Sequence, residues 1–187
     1  MDEYARHFYM RIGNAGTGSD DIGDISDRVN LRKNLECASF QWYLENVYPE
    51  LDVPNNYAEG SVTNNGMSKD SCLDSNIASG DTRFQNCHGL GRTQFFELTK
   101  NNEIRRNSHC LDFTTELEFY HCNLNRLNQE WILNVSSHQI IHKVSKKCLT
   151  ADSKNNTIIV EDCDLNNENQ KWNFQYFYEE KFLKEFH

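Results

Sequence analysis

The stretch CLDFTTELEFYHCNLNRLNQEW, residues 110–131, begins with a Cys-Leu-Asp triplet, reaches a second cysteine and ends on a Gln-x-Trp triplet. The pattern occurs three times in the 187-residue chain, because Cys-Leu pairs begin at residues 72, 110 and 148, 38 residues apart. In each copy a glutamine lies seven residues beyond the second cysteine, and an aromatic follows two residues later. The glutamines are Gln94, Gln129 and Gln170, and the aromatics are Phe96, Trp131 and Trp172. A fixed period of this length indicates a repeat architecture.

The segments between these markers favour β-strands. Short runs such as LEFYHC and TIIVEDC are rich in β-forming residues, are bounded by polar turn clusters and show little helical periodicity. A repeat of about 38 residues can hold about four short strands. Three such units cannot bury their apolar faces alone, so we predict an all-β fold closed around a shared pseudo-threefold core.

Composition narrows the possible partners and the compartment. The chain carries 19 basic against 28 acidic residues, a formal charge of −9, which disfavours a nucleic-acid or anionic-membrane partner. No apolar run approaches the ~20 residues that cross a bilayer, so no membrane insertion by this segment is expected. Seven cysteines and two glycosylation sequons, at Asn134 and Asn155, favour an oxidising lumen or the cell exterior.

Six of the cysteines belong to the repeats. The favoured pairing joins the two cysteines within each repeat, although the sequence alone permits other connectivities. The favoured pairs are Cys72 with Cys87, Cys110 with Cys122, and Cys148 with Cys163. A zinc site is disfavoured because its cysteine ligands normally lie two to four residues apart. Cys37 is left over, and an odd cysteine in an oxidised protein suggests a partner outside the chain.

Three copies of the cysteine, Cys-Leu-Asp and Gln-x-Trp pattern resemble the ricin-type β-trefoil lectin domain. The resemblance implies a barrel capped by three hairpins, formed here by residues 57–187. It also implies that the tryptophan belongs to the core and that the glutamine helps to fix the sugar-binding loop. The residues expected to be structural for this reason are Gln129, Trp131, Gln170 and Trp172.

The second repeat carries the best candidate sugar site. A galactose-type ring has an apolar face suited to an aromatic side chain, and hydroxyls that a carboxylate and an amide can recognise. By the resemblance, Asp112 would accept hydrogen bonds from two hydroxyls, Tyr120 would stack beneath the ring, and Asn128 would bond a neighbouring hydroxyl. Asp112 alone is typical of a turn aspartate, and its conjunction with Tyr120 and Asn128 favours the sugar site.

The first repeat is expected to hold a weakened site. It keeps Asp74 and a Cys-His pair that includes His88, but Thr93 stands at the amide position and Gln85 at the stacking position. Phe84 is one residue away from the stacking position and should face the opposite side of its strand.

The third repeat is expected to be structural only. It keeps Asn169, but Thr150 replaces the acid and Glu161 replaces the stacking aromatic. The carboxylate needed for recognition is therefore missing.

Residues 1–48 have a helical rather than a β pattern. Apolar residues recur at helical spacing in YARHFYMRI and before Pro49, and Ser26 is a candidate N-cap. Residues 49–56, which include Pro54, are predicted to be a linker. The apolar residues at helical spacing are Tyr4, Phe8 and Ile12, then Phe40, Leu44, Val47 and Tyr48.

MDEY followed by GDISDRVNLRKNLECASFQWYLENVYPEL resembles the end of the catalytic domain of the polypeptide N-acetylgalactosaminyltransferases. The resemblance implies a Golgi-lumenal parent enzyme that moves GalNAc from UDP-GalNAc to Ser or Thr, with Mn²⁺ held in a catalytic domain absent here. It also implies that Cys37 bonds an upstream cysteine. The chain itself contains no Asp-x-His motif, so we expect no cofactor in it and no transfer by it alone.

Three functions follow as hypotheses. The first is a GalNAc-binding lectin domain that directs mucin-type O-glycosylation toward GalNAc-bearing glycopeptides or glycoproteins. The alternative is a trefoil protein-interaction module with lapsed sugar sites, and the third is an active enzyme. A metal site at His138 and His142 is disfavoured, because residues four apart on a strand lie ~13 Å apart.

Overall fold

The computed structural model describes residues 23–49, 56–123 and 127–183, and within these ranges it contains twelve strands and three short α-helices. The all-β prediction is confirmed. The helices are α1 (Ser26–Asn34), α2 (Phe40–Asn46) and α3 (Glu179–Leu183). The strands are β1 (Asn56–Asn64), β2 (Ser71–Asn76), β3 (Asp81–Asn86), β4 (Phe96–Thr99), β5 (Ile104–Arg106), β6 (His109–Phe113), β7 (Leu117–His121), β8 (Trp131–Asn134), β9 (Gln139–His142), β10 (Cys148–Asp152), β11 (Thr157–Glu161) and β12 (Trp172–Phe177).

The strands form three units of four, as the repeat length predicts. The inner strands of each unit make the antiparallel hairpins β2–β3, β6–β7 and β10–β11. The outer strands pair between units, β4 with β5 and β8 with β9. Strand β12 returns to pair with β1, with Trp172 opposite Asn64, so the last unit joins the first. This closure gives the threefold arrangement of a β-trefoil.

The period of two along each hairpin separates core residues from surface residues. In the first hairpin Leu73 lies opposite Phe84, and both are buried. Phe84 packs against Trp172 with ring centroids 6.1 Å apart, so its predicted inward orientation is confirmed. The flanking residues Cys72 and Asp74 share the other face of β2. The same alternation places Leu111 opposite Phe119 and Leu149 opposite Val160.

The tryptophans of the Gln-x-Trp triplets are the largest side chains of the core. Trp131 and Trp172 are 0% and 1% exposed. Each indole N–H donates to a backbone carbonyl 2.8 Å away, that of Leu111 or Leu149 in the preceding hairpin. A buried indole needs such a partner for its N–H. The first repeat has Phe96 at this position, a residue with no donor to satisfy.

Three disulfides join the two cysteines within each repeat, which confirms the favoured pairing. They connect Cys72 to Cys87, Cys110 to Cys122 and Cys148 to Cys163. Each closes a short loop that includes its hairpin. A loop of this size predicts about 3 kcal/mol of stabilisation in the chain-entropy model. The disulfides indicate an oxidising compartment.

The two N-terminal helices bury no residue among those described. The prediction of Ser26 as the N-cap was wrong, because α1 begins at Ser26 and its cap position is Ile25, which has no side-chain acceptor. Ser39 instead caps α2, its Oγ accepting from the Trp42 N–H at 3.1 Å. The predicted helix at residues 4–12 and most of the predicted linker lie outside the described residues.

None of the described helices has the length and hydrophobicity that a membrane-spanning segment requires. Large apolar side chains of α1, α2 and their flanking turns are instead exposed on the surface. They are Ile25, Val29, Leu31, Leu35, Phe40, Trp42, Tyr43, Val47 and Tyr48.

Among the residues that the structure describes, Cys37 is the one cysteine that forms no disulfide, and it is exposed. Titration of the denatured, unreduced protein with a thiol reagent is expected to find one free thiol per chain, because the other six cysteines are paired. A value of zero would show that Cys37 is already bonded, and three or more would contradict the pairing.

Substitution of Trp172 tests the contribution of its buried indole to the core. Trp172→Phe leaves the Leu149 carbonyl without its donor and creates a cavity, so the free energy of unfolding should fall by about 2–4 kcal/mol. Guanidinium denaturation followed by far-UV circular dichroism, with the disulfides intact, measures this loss. Trp42→Phe is the matched control, because Trp42 is 50% exposed. An equal loss in both variants would contradict the role of Trp172.

Candidate functional site

A buried glutamine amide shapes the loop that follows the second cysteine of each repeat. In the second repeat, Gln129 Oε1 accepts from the backbone N–H of Asn123 at 2.9 Å, and Nε2 donates to the His121 carbonyl at 3.1 Å. One side chain thereby ties the residues on both sides of Cys122. The same two bonds occur in the other repeats. Gln94 accepts from the His88 N–H and donates to the Asn86 carbonyl. Gln170 accepts from the Asp164 N–H and donates to the Asp162 carbonyl.

The acid and the amide predicted for the sugar site lie together in the second repeat. Asp112, on β6, accepts from Asn128 Nδ2 at one carboxylate oxygen and from Gln129 Nε2 at the other, the latter at 2.9 Å. Asn128 and Gln129 belong to the 3₁₀ turn Leu127–Gln129. Asp112 is 4% exposed, which is more buried than the sequence suggested for a recognition carboxylate. The amide donors offset the loss of hydration.

The phenol predicted for stacking shares a face with the carboxylate. Tyr120 lies on β7 opposite Cys110, and Asp112 lies two residues further along β6, opposite Glu118. Because side chains alternate along a strand, Tyr120, Glu118 and Asp112 lie on the same side of the hairpin. Tyr120 is 45% exposed. The structure thus brings Asp112 and Asn128 into hydrogen-bond contact and places the exposed Tyr120 on the same side of the hairpin as Asp112.

His142 also supports this site, a role that the sequence did not predict. Its Nε2 lies 3.2 Å from the Asn128 carbonyl, which can only accept, so Nε2 carries the proton. Nδ1 then accepts from the Ser145 N–H at 3.3 Å and lies 2.9 Å from the Ser145 hydroxyl. His142 is 2% exposed, and burial lowers its pKa, with smaller opposing effects from the Asn128 bond and from Asp112.

Strand register explains the position of His142. It lies opposite Trp131 in the β8–β9 pair, as Asn64 lies opposite Trp172 in the β1–β12 pair. Asn64 Nδ2 donates to the Asn169 carbonyl at 2.8 Å. Both side chains therefore bond the carbonyl of the residue that precedes the motif glutamine. Their shared place in the barrel is the signal that would have identified His142.

The first repeat, which is expected to hold a weakened site, has a different arrangement. Asp74 Oδ2 accepts from the Thr93 hydroxyl at 3.0 Å, and His88 Nε2 lies 4.0 Å from the same oxygen. Gln85 takes the place opposite Cys72 that Tyr120 has in the second repeat. The site therefore keeps its acid but has no aromatic at the stacking position.

The third repeat has no carboxylate at this position. Thr150 is 2% exposed, accepts from Gln170 Nε2 at 3.1 Å and donates to the Cys148 carbonyl at 3.2 Å. The Asn169 amide packs against Gly66, where an added Cβ would lie 1.8 Å from Asn169 Oδ1. The predicted amide is therefore used in packing against the β1–β2 loop.

The two sequon asparagines lie on the surface. Asn134 ends β8 and its Oδ1 accepts from the backbone N–H groups of Ser136 and Ser137. Asn155 lies in the turn between β10 and β11, and its Nδ2 donates to Asp152 at 2.6 Å. Both side chains are exposed, and their glycosylation stays a prediction.

Among the residues that the structure describes, no group of three or more His, Cys, Asp or Glu side chains could hold a metal ion. Both ring nitrogens of His142 are already bonded to Ser145 and Asn128. These residues do not fit the Mn²⁺ implied for an upstream catalytic domain, and no chemical step is assigned to a metal here.

The closed threefold arrangement of strands, with loops held by buried glutamines, is the fold of a class of carbohydrate-binding proteins. Residues 58–172 match the family model of the ricin-type beta-trefoil lectin domain. The chain belongs to this lectin family, and along nearly its whole length it is homologous to polypeptide N-acetylgalactosaminyltransferases.

Two relatives and one solved structure illustrate this similarity. Polypeptide N-acetylgalactosaminyltransferase 5 of Caenorhabditis elegans is 35% identical over 190 residues, which cover 98% of this chain and 30% of that protein. Polypeptide N-acetylgalactosaminyltransferase 12 of Homo sapiens is 34% identical over 203 residues, covering 98% and 33%. A crystal structure of GalNAc-T7 with UDP, GalNAc and Mn²⁺ matches with a TM-score of 0.65 and 25% identity, over 95% of this chain and 34% of that chain. This chain spans about a third of the length of these relatives.

The pKa of His142 predicts an acid-sensitive fold. The unfolded chain binds a proton at a histidine pKa of about 6.5, whereas folding lowers the pKa of His142, so acid favours unfolding. The contribution is complete above about pH 6.5 and is lost as the pH falls toward the folded pKa. His142→Asn should therefore lose less stability than the wild type between about pH 7.5 and 5.5 in urea denaturation.

His138→Asn is the matched control for this experiment. His138 is exposed and has a φ of 58°, a conformation that asparagine tolerates. The control should follow the wild-type dependence on pH, including the effect of His109, whose pKa burial also lowers. An unchanged pH dependence in His142→Asn would show that His142 is not responsible.

Proposed function

We propose that this chain is the GalNAc-binding lectin domain of a polypeptide N-acetylgalactosaminyltransferase. In that role it directs mucin-type O-glycosylation of Ser and Thr toward glycopeptides or glycoproteins that already bear GalNAc. The observation that carries the proposal is the hydrogen bond from Asn128 to Asp112, with Tyr120 on the same side of the β6–β7 hairpin as that carboxylate. The homologous transferases suggest the parent enzyme, and these side chains are the groups proposed to recognise the sugar.

Each group has a distinct part in holding a hexose. The Tyr120 ring offers an apolar face of the kind that packs against the C–H side of a sugar. The Asp112 carboxylate accepts hydrogen bonds from hydroxyls, and charged acceptors make the stronger bonds. Asn128 can both donate to and accept from a neighbouring hydroxyl. A ligand hydroxyl would bridge Asp112 and Asn128, whose geometry Gln129 and His142 maintain.

One well-formed site implies weak binding of a single sugar. A shallow surface with three recognition groups buries little area, and useful affinity then comes from linkage to other binding groups. A catalytic domain on the same polypeptide would provide that linkage. The acceptor would be held by its GalNAc here and by its peptide at the transferase site.

The exposed apolar surface of the N-terminal helical segment supports a contact with such a catalytic domain. Its exposed apolar side chains, among them Trp42 at 50% and Leu35 at 64%, form a surface typical of a protein contact. We propose that residues 1–48 are the C-terminal end of the catalytic domain, that Cys37 bonds a cysteine upstream in that domain, and that the assembly works in the Golgi lumen. Transfer itself, and its Mn²⁺, are proposed for that domain.

Substitution at Asp112 and Tyr120 tests the proposed site. Asp112→Asn should weaken binding of a GalNAc-bearing peptide by about 10- to 100-fold, because a charged acceptor contributes about 1.5–3 kcal/mol. Tyr120→Ala should weaken it through the loss of stacking, with a smaller effect on the fold because the ring is 45% exposed. Isothermal titration calorimetry measures both effects.

The matched controls are Asp162→Asn and Tyr48→Ala. The Asp162 side chain is 92% exposed in a surface ion pair with Lys147, and Tyr48 is 44% exposed beyond α2. Both should bind like the wild type. Unchanged affinity in Asp112→Asn and Tyr120→Ala would reject the site, and no GalNAc binding by the wild type would favour the protein-interaction module.

A further inference from the structure

The first repeat differs from the others in the charge that surrounds its recognition position. Asp74 lies opposite Arg83 in the β2–β3 hairpin. The equivalent pair in the second repeat is Asp112 with Glu118, two acids. In the third repeat Thr150 lies opposite Ile159. The charge that faces the recognition acid is therefore reversed between the first and second repeats.

Two further positions show the same contrast. The residue that begins the 3₁₀ turn is basic in the first repeat, and so is the residue that follows the second cysteine. In the first repeat these are Arg92 and His88, in the second Leu127 and Asn123, and in the third Glu168 and Asp164. Basic side chains thus occupy three equivalent positions in this repeat alone.

A fourth basic group lies beneath the same site. Arg105 lies opposite Glu97 in the β4–β5 pair, so extending this register by one residue places Arg106 level with Phe96, as His142 lies opposite Trp131. Arg106 is 8% exposed, and its Nε has no hydrogen-bond partner among the described residues. Its guanidinium interacts electrostatically with Asp74.

The remaining contacts favour charge over stacking as the means of recognition. Gln85 provides no aromatic ring for a hexose face. His88 Nδ1 accepts from the Leu90 N–H at 3.0 Å, so the ring proton of neutral His88 lies on Nε2, which faces Asp74. Arg83 pairs with Asp81 at 3.2 Å, but both side chains are about half exposed, so a ligand can compete with this weak pair.

We propose that the first repeat is a subsite for an acidic saccharide, one that bears a carboxylate or a sulfate group. Arg83 and Arg92 bind the acidic group, and Asp74 accepts from a sugar hydroxyl. Arg106 balances the charge of Asp74 from below, so that the carboxylate does not repel the anion. The proposal shares with the proposed function only the lectin fold, because it concerns a different repeat.

The test uses the Asp112→Asn chain, in which the second-repeat site is weakened. N-acetylneuraminic acid and GalNAc 6-sulfate are the acidic probes, one for each anion, and GalNAc is the neutral probe. We expect both or one of the acidic sugars to bind, with an affinity that falls at least about 5-fold between about 50 and 300 mM salt. GalNAc should bind this chain at least about 10-fold more weakly than the acidic sugar.

A charge reversal then locates the binding. Arg83→Glu places two acids opposite each other, as Asp112 and Glu118 already are, so the fold should tolerate it. The substitution should lower the affinity for the acidic sugar by at least about 10-fold. Arg28→Glu makes the same charge change on α1, which buries no residue, and should change affinity less than about 2-fold.

Three results would overturn the proposal. They are acidic sugars that bind no more tightly than GalNAc, equal losses in Arg83→Glu and Arg28→Glu, and competition by inorganic sulfate as strong as that by GalNAc 6-sulfate, which would mean that only an ion is recognised. Absence of GalNAc binding by the wild type, with acidic binding retained, would reject the proposed function and leave this subsite standing.

Discussion

The buried glutamine amide of each repeat is the interaction on which the binding face depends. Gln94, Gln129 and Gln170 are only 1–2% exposed, and each bonds the backbone on both sides of the second cysteine. An unpaired polar group at this depth would cost about 1–3 kcal/mol, so the loop has one strongly preferred conformation. The disulfide holds the same loop to its hairpin. Recognition side chains are then mounted on a backbone that is already ordered before a ligand arrives.

The repeats differ in the side chains that surround the motif glutamine and its loop. The amide nitrogen of Gln129 reaches a carboxylate at Asp112, and that of Gln170 reaches the hydroxyl of Thr150. The barrel residue behind the turn is also variable, a histidine in one repeat and an arginine in another. Because the frame tolerates these exchanges, the proposed sites of the first and second repeats can suit different ligands on one fold. An acidic face with an aromatic suits a neutral hexose, and a basic face suits an anion.

The fold and much of the candidate site could be predicted from the sequence, because both depend on short-range spacing. The 38-residue period predicted the repeats and favoured the cysteine pairing, the resemblance to the lectin domain predicted the buried tryptophans, and the period of two along a strand predicted that Phe84 faces away from the stacking position. His142 and Arg106 escaped prediction because strand register, not motif spacing, places them. Their separations from the motif aromatic differ between repeats, 11 residues from Trp131 and 10 from Phe96. The N-cap of α1 was missed because a helix start can shift by one residue without changing the apolar pattern.

The proposed function depends most on the second repeat holding a neutral sugar between a phenol and a carboxylate. A crystal of the chain soaked with GalNAc tests this directly. The predicted result is density for the hexose over the Tyr120 ring, with hydroxyls within hydrogen-bond distance of Asp112 and Asn128. Density at another surface with this one empty, or a sugar that touches Tyr120 but not Asp112, would contradict the account.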